Sequence, residues 1–147
     1  MSSVLLVGRG PLPTADAPTG SFSQLRTRHF HRALVAAGHV VRLVLLTSTG
    51  KRGRRGSHPD TFEIEEEGPG WLDEVRALSD RADVVVTAGP YGPGRAGVAA
   101  AGDDTPLWVD IPGDPFAELE AAQLAFGAVD PTRLAAAQAA IRPVLAR

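Results

Sequence analysis

No cysteine occurs anywhere in the 147 residues. That absence excludes a disulfide scaffold, an iron–sulfur cluster, a thiol nucleophile and any zinc site built on thiolates. Long hydrophobic runs are missing too: no stretch approaches the roughly 18 apolar residues that mark a membrane-crossing helix. The N-terminus, MSSVLLVGRG, carries no basic leader, and its apolar run is too short for a secretory signal. Nor is there an excess of charge of one sign, with 15 Lys and Arg against 17 Asp and Glu and a net charge of −2. Bulk electrostatics therefore calls for neither nucleic acid nor an anionic membrane. Lysine is almost absent, Lys51 being the single example among the 15 basic residues. With Ala, Gly, Pro and Arg abundant, this usage reads as the codon bias of a GC-rich bacterial genome rather than as phosphate recognition. What is present is ordinary, 44% hydrophobic and 22% charged residues. The expectation is one globular cytoplasmic domain over 1–147.

Apolar patterning orders the chain. Ser3–Gly8 and His39–Thr47 are apolar, β-branched runs, as are Asp83–Thr87 and Pro106–Val109. Near-continuous runs of this kind predict strands buried on both faces, as parallel sheets require. Thr61–Ile64 reads as a short further strand. The first helix is predicted over Phe22–Ala37, capped by Ser21 or Ser23. Its apolar face would be Phe22, Leu25, Phe30, Ala33, Leu34 and Ala37, and Gly38 is the left-handed stop. Further helices are expected over Trp71–Ser79, Arg95–Ala101, Pro115–Phe126 and Pro131–Ala146, the last two capped by Asp114 and Asp130. The predicted fold is α/β: a Rossmann-like, doubly wound, mainly parallel sheet with helices on both faces. Connections into strands are abrupt, whereas the exits at 9–20, 48–60, 88–94 and 110–114 are long and glycine-rich. In open α/β sheets ligands bind beyond the carboxyl ends of the strands, so that rim is the predicted functional edge.

Several motifs fail on their own chemistry. Gly8-Arg9-Gly10 follows a strand, but Pro13 stands where a dinucleotide fingerprint needs its third glycine. Prolines at 11, 13 and 18 also remove the N–H donors that a pyrophosphate needs. Ser48-Thr49-Gly50-Lys51 lacks the upstream glycine of a phosphate loop, and Arg52 replaces the magnesium-binding hydroxyl. His29 and His31 point about 200° apart on a helix and cannot share a metal. No nucleophile elbow of the G-x-S-x-G type occurs. A flavodoxin-like FMN site is also disfavoured, because Arg9–Pro13 occupies the place of its Ser/Thr-rich phosphate loop. Glu63–Glu67 reads as a solvated acidic face, and Ser48–Asp60 as a basic loop. Within that loop Lys51, Arg52, Arg54 and Arg55 offer four cations to an anionic acceptor or a lipid headgroup. No metal and no cofactor are expected. Two features resist a purely structural account: Gly20-Ser21 before the first helix, and Asp110-Ile111-Pro112-Gly113-Asp114 after a strand. Asp114 serves as a cap, whereas Asp110 has no capping duty and sits where hydroxyl-binding or catalytic carboxylates are found.

The pattern resembles the N-terminal half of B-type glycosyltransferases, the retaining family-four kind with two Rossmann-like domains. The resemblance rests on a first strand, a long loop ending in glycine, and QLRTRHFHRALVAAGHVVRLVLL, where Leu34, Gly38-His39 and Val41 fall in phase with the family's helix–strand junction. PYGPGRAGVAA followed by PLWVDIPGDPFAELEAAQ is similar to members whose next strand ends in an Asp-rich turn. It covers nearly the whole chain. The resemblance implies an acceptor-binding domain, with the nucleotide-sugar donor held by a C-terminal domain supplied in cis or in trans. It implies that Gly20 and Ser21 approach the donor diphosphate and that Tyr91, Gly92, Asp110 and Asp114 line the acceptor pocket, Asp110 as the catalytic carboxylate. The family's donor-binding glutamate motif has no counterpart in these 147 residues, so this chain alone is expected to be inactive. A homodimer through the alanine-rich Leu134–Leu145 segment is a further expectation. The alternative from a different class is a non-catalytic Rossmann-like module that binds a nucleotide or a protein.

Overall fold

The computed structural model describes residues 1–13, 20–48, 53–55, 60–113 and 131–146. Its centre is a six-stranded sheet of β1 (Ser3–Arg9), β2 (Val40–Thr47), β3 (Arg54–Arg55), β4 (Thr61–Glu65), β5 (Val84–Thr87) and β6 (Leu107–Val109), in the order β3-β4-β2-β1-β5-β6. Five strands run parallel, and the two-residue β3 lies antiparallel against β4 at one edge. β1 pairs with β2 from Ser3↔Val40 to Arg9↔Leu46, and on its other side with β5 from Val4↔Val84 to Val7↔Thr87. The alternation of a fully buried strand divides its side chains between two cores. Leu5, Val7, Val44, Leu46, Ile64 and Val85 face α2 (Trp71–Leu78) and α3 (Gly92–Ala101). Val4, Leu6, Val41, Leu43, Leu45 and Val86 face Phe30 and Leu34 of α1 (Phe22–Ala36). The last described helix, α4 (Pro131–Leu145), lies against α3 with Ile141 and Val144 buried. This is the doubly wound, Rossmann-like α/β fold with helices on both faces.

Close approaches near the carboxyl ends of β1 and β5 set where α1 and α3 sit. Gly8 faces Thr27 of α1, and a methyl group on Gly8 would stand 2.8 Å from the Thr27 Cβ. Thr27 is fully buried; its Oγ1 accepts the Arg9 N–H at 3.0 Å and donates to the Ser23 carbonyl at 2.8 Å. Gly97 of α3 likewise presses on Thr87 of β5, leaving 3.0 Å between a Gly97 methyl and Leu107 Cδ1. At the far end of α1, Gly38 takes φ +82° and the His39 N–H returns to the Leu34 carbonyl at 3.1 Å, the glycine-dependent stop that turns the chain into β2.

The structure corrects four local expectations. The stretch Ser48–Asp60 is not loop throughout, since Arg54 and Arg55 pair with Glu63 and Phe62. α3 starts at Gly92 rather than Arg95, because a Gly-Pro-Gly opening places Pro in the first turn, where its missing N–H costs nothing. On α1 the expected face packs only in part: Phe30 and Leu34 meet the sheet, but Phe22, Ala33 and Ala37 are exposed while polar Thr27 is buried, its hydroxyl satisfied locally. The acidic run is a solvated face only in part: Glu66 is drawn into an ion pair with Arg9, whereas Glu67, paired with Arg95, stays exposed. The predicted helix Pro115–Phe126, the caps Asp114 and Asp130, and Lys51 and Arg52 lie outside the described residues.

Candidate functional site

β1 is where the sheet reverses direction, β2 having been added on one side and β5 on the other. Beyond the carboxyl ends of β1 and β5 such a reversal opens a crevice, because the helices that follow the two strands cover opposite faces. A cleft of about 450 Å³ lies there. Its walls are Arg9 from the end of β1, Phe22, Ser23 and Arg26 from the first turns of α1, the Ala88–Tyr91 turn after β5, and Pro93 and Pro112. Two aromatic rings, Phe22 and Tyr91, therefore face a space that also carries two guanidinium groups. Phe22 is 65% exposed despite its size, which marks it as a contact surface rather than core.

Both guanidinium groups are already paired. Arg9 forks onto Glu66, Nη1 donating to Oε2 and Nη2 to Oε1 at 3.1 Å, a bidentate match of planar groups. Burial holds the Arg9 pKa below its usual value by penalising the charged form; the group stays cationic at neutral pH because that usual value is so high. Arg26 donates from Nε to Asp110 Oδ2 at 2.7 Å and from Nη2 to the same oxygen. The Arg26 guanidinium also sits over the Phe22 ring at 5.2 Å and the Phe30 ring at 5.9 Å. Phe30 in turn meets Trp108 of β6 edge to face at 5.2 Å, so one stacked column joins α1 to the strand that presents Asp110.

Of the predicted site residues that are described, one lines the cleft and the others stand around or behind it. Tyr91 lines the cleft and is the N-cap position of α3. Gly92, next along, opens α3 beneath the Glu66 carboxylate; a methyl group on Gly92 would come within 2.6 Å of the Glu66 carboxyl carbon. Asp110 stands behind Arg26, not on the cleft wall, and its side chain is 13% exposed. Ser21 is spent on a capping box: its Oγ accepts the Gln24 N–H at 3.3 Å, and its own N–H is taken by Gln24 Oε1 at 2.7 Å. Gln24 Nε2 then reaches the Gly10 carbonyl at 3.1 Å, which ties the start of α1 to the exit of β1. Gly20 precedes this box, with Pro13 2.8 Å from where its Cβ would stand. Asp114 lies outside the described residues. Sequence reasoning missed Arg9, Arg26 and Glu66. Their partners are 57 and 84 positions away in the chain, and the one available signal was the place of Arg9 at a strand end on the predicted rim.

Arg54 and Arg55 belong to the edge strand β3, across β4 and β2 from β1. Among the described residues no group of three His, Asp or Glu side chains converges, and no helix is long and apolar enough to cross a membrane. Comparison of the chain with protein-family models, with curated proteins and with solved structures finds no match. Fold and cleft define a Rossmann-like α/β domain with a concave site at its switch point.

Proposed function

We propose that this domain is the acceptor-binding half of a nucleotide-sugar-dependent glycosyltransferase, with the switch-point cleft as the acceptor pocket. The observation that carries the reading is the composition of the cleft wall. Aromatic faces from Phe22 and Tyr91 suit the C–H faces of a sugar or cyclitol ring, and the Ser23 hydroxyl and Arg26 guanidinium supply hydrogen bonds to its hydroxyls. Each cation is matched by a carboxylate, so the wall is close to neutral and fits a hydroxylated acceptor better than a diphosphate. Asp110 acts as a positioning residue on this account, because it fixes the plane of Arg26 from behind. Orientation of an acceptor hydroxyl affects rate as well as affinity. The donor diphosphate and the leaving group belong to the C-terminal domain that the resemblance implies.

The test is glycosyl transfer by this domain together with its donor-binding domain, in cis or in trans, against a panel of nucleotide sugars. Transfer from at least one donor is expected. Asp110→Asn is expected to lower it about 10-fold or more, with acceptor KM and kcat both affected and donor KM unchanged. No transfer from any donor, or an unaltered rate for Asp110→Asn, would count against the proposal and favour a non-catalytic binding module.

A further inference from the structure

Arg9 faces the cleft, yet its guanidinium is turned end-on to a carboxylate of the protein itself. Glu66 follows β4, its N–H bonded to the Thr47 carbonyl at 2.9 Å, so the backbone fixes where its side chain begins. From there the carboxylate meets both terminal nitrogens of Arg9 and lies over Gly92, at the positive end of α3. The Glu66 side chain is 17% exposed. Gly92 lets it in: a methyl group there would stand 2.6 Å from the carboxyl carbon and 3.0 Å from Arg9 Nη2. The neighbouring Glu67 pairs with Arg95 of α3, whose guanidinium sits 5.4 Å from the centre of the Trp71 ring, so the acidic turn is pinned on both sides. A bidentate cation beside a helix start is what a phosphate or carboxylate of a ligand would seek. Here the protein's own carboxylate holds that place.

We propose that Glu66, from behind the cleft wall, determines its specificity: by holding Arg9, which does line the cleft, it makes the cleft take uncharged hydroxylated ligands and disfavour those with a phosphate or carboxylate beside Arg9. An incoming anion meets at Arg9 a cation already matched by the Glu66 carboxylate, so the attraction it would need is cancelled. The same holds across the cleft, where Asp110 occupies Arg26. The inference rests on the cleft being the ligand site, as proposed above, and not on sugar transfer.

Titration with inorganic phosphate at low ionic strength tests it, followed by NMR at the backbone amides of Gly89, Tyr91 and Gly92. Glu66→Gln keeps the side-chain shape and removes the charge, which leaves the Arg9 charge unmatched. The variant is expected to bind phosphate at least about tenfold more tightly than the wild-type chain, and the double variant Glu66→Gln/Arg9→Gln to lose that gain. Equal affinity in wild type and Glu66→Gln, or a gain that survives loss of Arg9, would overturn the proposal. The wild-type titration decides the matter even if Glu66→Gln does not fold. Those amides are expected to stay unmoved at millimolar phosphate, and a saturating shift at micromolar phosphate would overturn the assignment. Because phosphate is the probe, failure of this inference leaves the glycosyltransferase reading to its own assay.

Discussion

Thr27 shows how a polar side chain can serve as core. It is fully buried on α1, yet its hydroxyl both accepts the Arg9 N–H and donates to the Ser23 carbonyl, so nothing polar is left unmatched. The Arg9 N–H has left the strand ladder at this point, and Thr27 is what satisfies it. Thr27→Val preserves shape and removes the acceptor. It is expected to destabilise the fold by about 1–3 kcal/mol, the cost of an orphaned buried donor, as read from urea denaturation. A variant with wild-type stability would mean that water replaces the hydroxyl and that Thr27 does not anchor the end of β1.

At the scale of elements, the strands were the most legible part of the sequence. β1, β2 and β5 are near-continuous apolar runs, interrupted in β2 by Arg42, and burial on both faces of a parallel sheet demands that composition. The start of α1 was legible too: of the two candidate caps, Ser21 and Ser23, Ser21 is the one that caps, and Gln24 completes a capping box that was not read from the sequence. Ser21→Ala removes half of the box and is expected to cost about 1 kcal/mol in a thermal or chemical melt. Loss of nothing measurable would show that the Gln24–Gly10 bond alone holds this end of the helix. β3 was not legible: two arginines carry no strand pattern, and pairing along the outside of β4 creates it. The early start of α3 was hidden because Gly-Pro-Gly has poor helix propensity, which packing against β5 and Thr87 overrides. The rim itself was legible from the long exits of the strands. The ion pairs on it were not, because pattern along a chain carries no information about which arginine meets which carboxylate 57 or 84 positions away.

For the whole molecule the decisive feature is topological. The chain winds from β1 through β2 to β4 with α1 on one face, then crosses back to β5 and β6 with α2 and α3 on the other. That reversal places the ends of β1 and β5 side by side with no helix between them, and the cleft follows from it. The central claim is that this cleft receives a hydroxylated, uncharged acceptor, while a nucleotide is bound elsewhere. The most direct measurement is a backbone-amide NMR map of the chain titrated in parallel with methyl glucoside or myo-inositol and with UDP. The account predicts that the uncharged polyol shifts Ser23, Arg26, Gly89 and Tyr91 together, and that UDP leaves them in place. Saturable shifts of those four residues with UDP and none with either polyol would contradict it and define a nucleotide-binding module instead.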